Sequence, residues 1–235
     1  MTTPWPQAVL FDLDGTLVDS APDIQTALNA TLASYGEPPF ELEQVTAMIG
    51  RGVPTLIERA YAALGKEIDP ATRDKVVERF EAIYGPQSTQ RTVLNAGAVE
   101  GILALQQRGW RLGVVTNKAA AATETVLAHF GLADHMAIVV GGDAGPERKP
   151  APGLLLLAAE KLGLTPSDIV FVGDSDNDVI AAEAAGMTAI VMRGGYSTRP
   201  VEDLGADLVA DRLDALPSLI EGLARARQDG PSGEA

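Results

Sequence analysis

The chain has 235 residues, 46% of them hydrophobic, no cysteine, and 18 basic against 32 acidic side chains for a net charge of −14. Wholesale disorder, thiol nucleophiles, disulfides and thiolate metal sites are excluded, and a grip on nucleic acid or anionic lipid is disfavoured. Any metal chemistry then rests on oxygen ligands, and any bound phosphate needs local cations to offset the overall repulsion.

The start, "MTTPWPQ", has neither the basic region nor the long apolar region of a signal peptide, and no window approaches a membrane span. A soluble, cytoplasmic protein is expected. Val9, Leu10 and Phe11 then read as a short buried strand that stops at Asp12-Leu13-Asp14-Gly15-Thr16. Two carboxylates one residue apart at a buried strand end must meet a cation, donors or water, because unpaired charge beside a core is costly.

Four helical patterns follow with no strand between them. The first opens at Ser20 and Pro22, an N-cap and early-turn pair, and spaces Ile24, Ala27, Leu28, Thr31, Leu32 and Tyr35 along one face. The second covers about Glu41 to Met48, and the third carries Leu56, Ile57, Ala60, Tyr61 and Leu64 on one face. The fourth starts at Asp69-Pro70, buries Val76, Val77, Phe80, Ile83 and Tyr84, and stops at Gly85-Pro86.

From there helices alternate with short apolar strands. Helices near 98–108, 119–130, 151–162 and 177–185 lead to strands at 112–116, 137–140, 169–172 and 188–191. The run "LLLLAAEKLG" gains charge after six apolar residues and reads as a core helix. Alternation of this kind means a parallel sheet covered on both faces. The fold class is therefore α/β, a doubly wound parallel sheet with an inserted all-helical cap. Residues 1–20 and 91–235 make the core and 21–90 the cap, since four helices offer the first strand no partner. The end, "RARQDGPSGEA", reads as a frayed helix and polar tail.

Ligand sites in such sheets lie at the carboxyl ends of the strands. There the sequence places Asp12 and Asp14, then Thr116-Asn117-Lys118, Arg148-Lys149-Pro150, and "VGDSDND" ending at Asp178. Taken singly, these fit turn formers, helix caps and a solvated loop lysine. "DSDND" also spaces its acids like a calcium loop, but Val179 stands where the glycine is needed and Ala185 where the bidentate Glu should be. Their occurrence in order at successive strand ends favours one shared site.

"FDLDGTLVDS", "VVTNK", "RKPAP" and "VGDSDND" resemble the four successive motifs of haloacid dehalogenase superfamily phosphatases, over most of the chain. The helical insert resembles that superfamily's small cap. "GRGVPTLIERA", "GGD" and "GGYS" resemble the phosphoglycolate phosphatases within it, while "NAGA" and "KPAP" depart from their usual "YPGV" and "KPHP".

The resemblance implies a Mg²⁺-dependent phosphomonoester hydrolase for a small phosphorylated metabolite, 2-phosphoglycolate foremost. Asp12 would be the nucleophile and Asp14 the proton donor and acceptor. Mg²⁺ would be held by Asp12, the Asp14 backbone carbonyl and Asp174, with Asp178 in support. Lys149, Thr116 and Asn117 would hold the phosphate. Arg51, flanked by glycines in "MIGRGVP", would take the substrate carboxylate as a fork or else remain a solvated turn arginine. A sugar-phosphate phosphatase, pyrophosphatase or phosphomutase on the same scaffold stays open. A dehalogenase is disfavoured by Asp14, and a phospho-receiver domain by the cap and the acid pair at the first strand. The partner expected is a small metabolite, not nucleic acid or membrane, with the oligomeric state undetermined.

Overall fold

A computed structural model describes residues 5–145 and 147–228. The first four residues of the amino-terminal stretch, Pro146 and the polar end after Gln228 lie outside the described residues.

The first strand, β1 (Ala8–Phe11), pairs in parallel with two strands that come much later in the chain. A short strand β2 (Val18–Asp19) leads into helices α1 (Ala21–Ser34), α2 (Leu42–Thr46), α3 (Val53–Ala63) and α4 (Pro70–Tyr84). The chain returns through β3 (Val93–Leu94), which pairs antiparallel with β2. Next come α5 (Ala98–Gln107), β4 (Arg111–Val115), α6 (Ala120–His129), β5 (Ile138–Val140) and α7 (Gly153–Leu162). The last elements are β6 (Ile169–Gly173), α8 (Asp176–Ala185), β7 (Thr188–Met192), β8 (Leu208–Ala210) and α9 (Leu216–Gln228).

The six-stranded parallel sheet runs β5-β4-β1-β6-β7-β8, so the chain winds outward from β1 to one edge and then to the other. A crevice opens where the winding reverses, at the carboxyl ends of β4, β1 and β6. Side chains alternate along β1. Val9 and Phe11 pack toward α5, α6 and α9, whereas Ala8 and Leu10 pack toward α7 and α8. The four early helices close on a core of their own, including Leu28, Leu32, Ile57, Val76 and Phe80. Among the described residues no helix is long and apolar enough to cross a membrane.

Three local expectations change. Ser20 does not cap α1 with its side chain, because its hydroxyl is drawn to Asp14 instead. Tyr35, at the end of the expected apolar face, is 41% exposed. The strands β2, β3 and β8 are only two or three residues long and too short to show periodicity. Asp69, by contrast, does cap α4, accepting from the Ala71 and Thr72 N–H groups.

Candidate active site

The sheet's hydrogen bonding runs one residue past the strands and thereby aims the residues beyond them. Asp12 N–H donates to Val172 O (2.8 Å) and Thr116 N–H to Val140 O (3.0 Å). The Asp12 side chain is thus held at the mouth of the crevice, with Oδ1 accepting from Leu13 N–H at 2.7 Å. Gly15 follows with φ +87°, and a Cβ there would lie 2.5 Å from Asp174 Oδ2. Only glycine lets the turn pass so close to that carboxylate.

Lys149 is buried between two acids. Its Nζ lies 3.0 Å from Asp12 Oδ1 and 2.7 Å from Asp178 Oδ1, and it donates to Val115 O at 3.0 Å. The other oxygen of Asp178 accepts from Ser175 N–H and Oγ–H at 3.0 and 2.7 Å, which fixes the first turn of α8. Asp174 is held by Thr16 Oγ–H at 2.9 Å and by Tyr196 N–H at 2.6 Å.

Oxygens of Asp12, Asp174 and Asp178 all lie within 4.8 Å of one another. Burial pushes the Asp12 carboxyl up to about 6, with Lys149 opposing and Asp178 and Asp14 adding to the rise. Burial, then Asp178 and Asp12, holds the Asp174 carboxyl well above the usual range. For Lys149, burial acts to lower the proton affinity, but Asp12 and Asp178 outweigh it and the ammonium is held above its ordinary value. With all three ionised, these buried carboxylates would exceed the one lysine by two negative charges. A hard, all-oxygen donor set with that surplus fits a divalent cation.

Asp14 sits apart from this trio. Its Oδ1 accepts from Ser20 Oγ–H at 2.6 Å, and both its oxygens accept from Lys118 Nζ at 3.0 and 3.1 Å. Lys118 also donates to the hydroxyl of Tyr84, at the end of α4, at 2.7 Å. Thr116 is buried, its Oγ accepting from Lys118 N–H at 3.3 Å. Asp12, Asp14, Thr116 and Lys118 line a cavity of about 640 Å³ between sheet and helices, whose walls include Ile49, Leu56 and Phe80.

The remaining residues singled out in the sequence join the helical layer to the sheet. Asn117 donates from Nδ2 to Gly50 O and to Lys149 O, both at 2.8 Å, and accepts from Lys149 N–H at 2.9 Å. Its amide thus pins the lysine loop and the α2–α3 connection together. Arg51 is exposed, yet its Nε donates to Asn177 Oδ1 at 2.9 Å, and it lines a smaller cavity shared with Asp12, Asp14, Asp174 and Tyr196. Lys118, Tyr84, Thr16, Ser20 and Tyr196 are site residues to which reading the sequence assigned no role in the site. Lys118 had one signal, since it follows the strand-end pair Thr116-Asn117, and Tyr196 another, as part of "GGYS".

The chain is similar to several known proteins. The chain is 42% identical over 215 residues to a phosphoglycolate phosphatase of Cereibacter sphaeroides, spanning 92% of this chain and 98% of that one. It is 41% identical over 240 residues to a phosphoglycolate phosphatase of Rhodospirillum rubrum, spanning 93% and 100%. The crystal structure of a predicted phosphoglycolate phosphatase from Haemophilus somnus superposes with a TM-score of 0.85 at 31% identity, covering 91% of this chain and 97% of the other. The haloacid dehalogenase-like hydrolase family matches residues 6–186, a span that carries the acid-bearing ends of β1 and β6 together with the helical layer over them. The chain therefore belongs to the haloacid dehalogenase-like hydrolases.

Proposed function

We propose that the protein is a Mg²⁺-dependent phosphatase that hydrolyses 2-phosphoglycolate to glycolate and phosphate through an aspartyl-phosphate on Asp12. The observation that carries this reading is the pairing of Asp12 with Lys149 at 3.0 Å, inside a cluster of buried carboxylates at the switch point of the sheet. The relatives above, named for that substrate, support it.

Asp12, the Asp14 backbone carbonyl and Asp174 would hold the cation, with Asp178 in support. A bound divalent cation supplies the positive charge that lets an anionic carboxylate approach an anionic phosphate. An Asp12 oxygen attacks phosphorus in line, the ester bond breaks, and Asp14 gives its proton to the departing alkoxide. Asp14 then takes a proton from water as that water attacks the acyl phosphate, releasing phosphate and restoring the Asp12 carboxylate. Lys149 offsets charge on Asp12 and on the phosphate oxygens, and the Thr116 hydroxyl donates to one of those oxygens. Asn117 contributes by holding the Lys149 loop.

Arg51 is the candidate for the substrate carboxylate, because it borders the same small cavity as Asp12 and Asp14. Residues 21–90 would act as a cap that decides specificity, over a core of 1–20 and 91–235. The net charge of −14 favours a small metabolite, rather than nucleic acid or membrane, as the partner.

The test is a panel of phosphorylated metabolites with Mg²⁺, run on the wild type and on Asp12→Asn. Phosphoglycolate should rank first, and Asp12→Asn should abolish turnover with an unchanged circular dichroism spectrum. A tenth of wild-type activity in Asp12→Asn would sink the covalent route, and preference for a sugar phosphate would move the substrate class.

A further inference from the structure

The segment Gly194-Gly195-Tyr196 after β7 has no part in the mechanism above, yet the fold seats it firmly. Gly194 turns the chain with φ +80°, and a Cβ on Gly195 would overlap the Cβ of Asp174. The loop therefore lies directly on Asp174, and Tyr196 N–H donates to Asp174 Oδ2 at 2.6 Å. From that seat the phenol reaches across to the start of α1. Its oxygen accepts from Ser20 N–H at 2.8 Å and Ala21 N–H at 2.9 Å, and its O–H donates to Asp19 Oδ1 at 2.8 Å.

Those N–H groups open a helix and need an outside acceptor. The Ser20 hydroxyl cannot serve them, because an N-cap side chain reaches only the N–H groups of the second and third helical residues; it donates instead to Asp14 Oδ1 at 2.6 Å. Tyr196, 176 positions along the chain from Ser20, accepts from them instead and so clamps the backbone of the residue whose hydroxyl holds Asp14. Burial, with Asp14 next, holds the Tyr196 phenol above its ordinary value, so the O–H remains a donor at working pH.

We propose that Tyr196 is a positioning residue for proton transfer, clamping the backbone of Ser20 so that the Ser20 hydroxyl orients Asp14. The proposal rests on the reading of Asp14 as the acid–base group. Without the phenol oxygen, Ser20 N–H loses its partner and Ser20 is free to shift, while Asp19 Oδ1 keeps Ala21 N–H at 3.2 Å and Lys118 still holds Asp14. A misplacement of about 1 Å is enough to cost on the order of 100-fold in rate.

The experiment compares Tyr196→Phe, Ser20→Ala, their double variant and Asp14→Asn on two substrates with Mg²⁺. One is an alkyl phosphate, whose alkoxide needs a proton to leave; the other is p-nitrophenyl phosphate, whose phenolate leaves without one. Water attack on the aspartyl-phosphate also uses Asp14 and is common to both esters, so the comparison is made in kcat/KM, which reports transfer to Asp12: Tyr196→Phe should lose about 10- to 100-fold on the alkyl ester and under about threefold on the aryl ester. Ser20→Ala should show the same asymmetry, and the double variant should be no worse than Ser20→Ala alone, since both act through one hydroxyl.

Titration calorimetry should give a Mg²⁺ affinity within about threefold of wild type for Tyr196→Phe, because its backbone N–H still holds Asp174. Hydrogen exchange at Ser20 should quicken in that variant. Equal losses in kcat/KM on both esters, additive losses in the double variant, or unchanged exchange at Ser20 would each overturn the proposal. If Asp14→Asn itself shows no preference for sparing the aryl ester, the acid–base reading fails. If Asp14→Asn shows that preference and Tyr196→Phe does not, only the role of Tyr196 fails.

Discussion

Replacing Lys149 with Met tests the electrostatics of the site most directly. The side chain is 1% exposed, and Met nearly matches its length while removing the charge. The substitution strips the ammonium from Asp178 at 2.7 Å and Asp12 at 3.0 Å and takes the donor from Val115 O. Removing one partner of a buried ion pair costs about 3–5 kcal/mol, because the other charge stays buried without compensation. Against a typical total of roughly 5–15 kcal/mol, that is a third or more of the stability of a domain.

Urea unfolding in EDTA measures this loss. The same substitution raises the surplus on the three carboxylates from two negative charges to three, so Mg²⁺ should bind the variant more tightly than wild type. Saturating Mg²⁺ should then restore part of the stability, about 2.7 kcal/mol at 100 times the dissociation constant. Turnover should still be lost, because no cation remains to steady Asp12 and the phosphate together. A cost under about 1 kcal/mol in EDTA, or weaker Mg²⁺ binding by calorimetry, would refute the reasoning.

EDTA should stop phosphate release and Mg²⁺ restore it, while Ca²⁺ should inhibit, since its looser and higher coordination disturbs the in-line geometry; full activity in excess chelator would remove Asp174 from the cation site. Arg51→Ala should lower kcat/KM on phosphoglycolate by roughly 10- to 150-fold, the worth of a charge-assisted hydrogen bond of about 1.5–3 kcal/mol, with little change on an uncharged aryl phosphate. Equal losses on the two substrates would assign Arg51 to its contact with Asn177 instead. Asp23→Ala should destabilise the protein by about 1–3 kcal/mol in urea unfolding, because that buried carboxylate accepts from Arg91 N–H, Thr92 N–H and Thr92 Oγ–H where the chain returns from the helices. An unchanged midpoint would show that these bonds to Asp23 are replaced by water.

The sequence by itself determined the layers of this protein and the chemistry available to it. Apolar runs at Val9–Phe11 and Ile169–Val172 end abruptly in acids, and a parallel sheet brings the carboxyl ends of its strands to one side. Asp12, Asp14, Thr116 and Asp174 stand just past apolar runs, and Lys149 and Asp178 joined them through the polar clusters "RKPAP" and "VGDSDND", whose roles came from the resemblance to a known family. The helical layer was legible for the same kind of reason, because its apolar residues recur at helical spacing with proline near the starts.

What only the tertiary structure decided are the bonds between segments that local patterns do not relate. Ser20 looks like an N-cap in any window of sequence; Asp14 takes its hydroxyl because the turn at Gly15 folds the two together. Tyr196 looks like a loop residue until the loop is laid on Asp174 and its phenol reaches α1. Lys118 meets Asp14 and Tyr84 only because β4 lies beside β1 and the last residue of α4 reaches the same strand ends. Local propensity is carried by a few neighbouring side chains and shows in the sequence. The partner of a buried polar group is set by which strands become neighbours, and that is settled only when the whole sheet has formed.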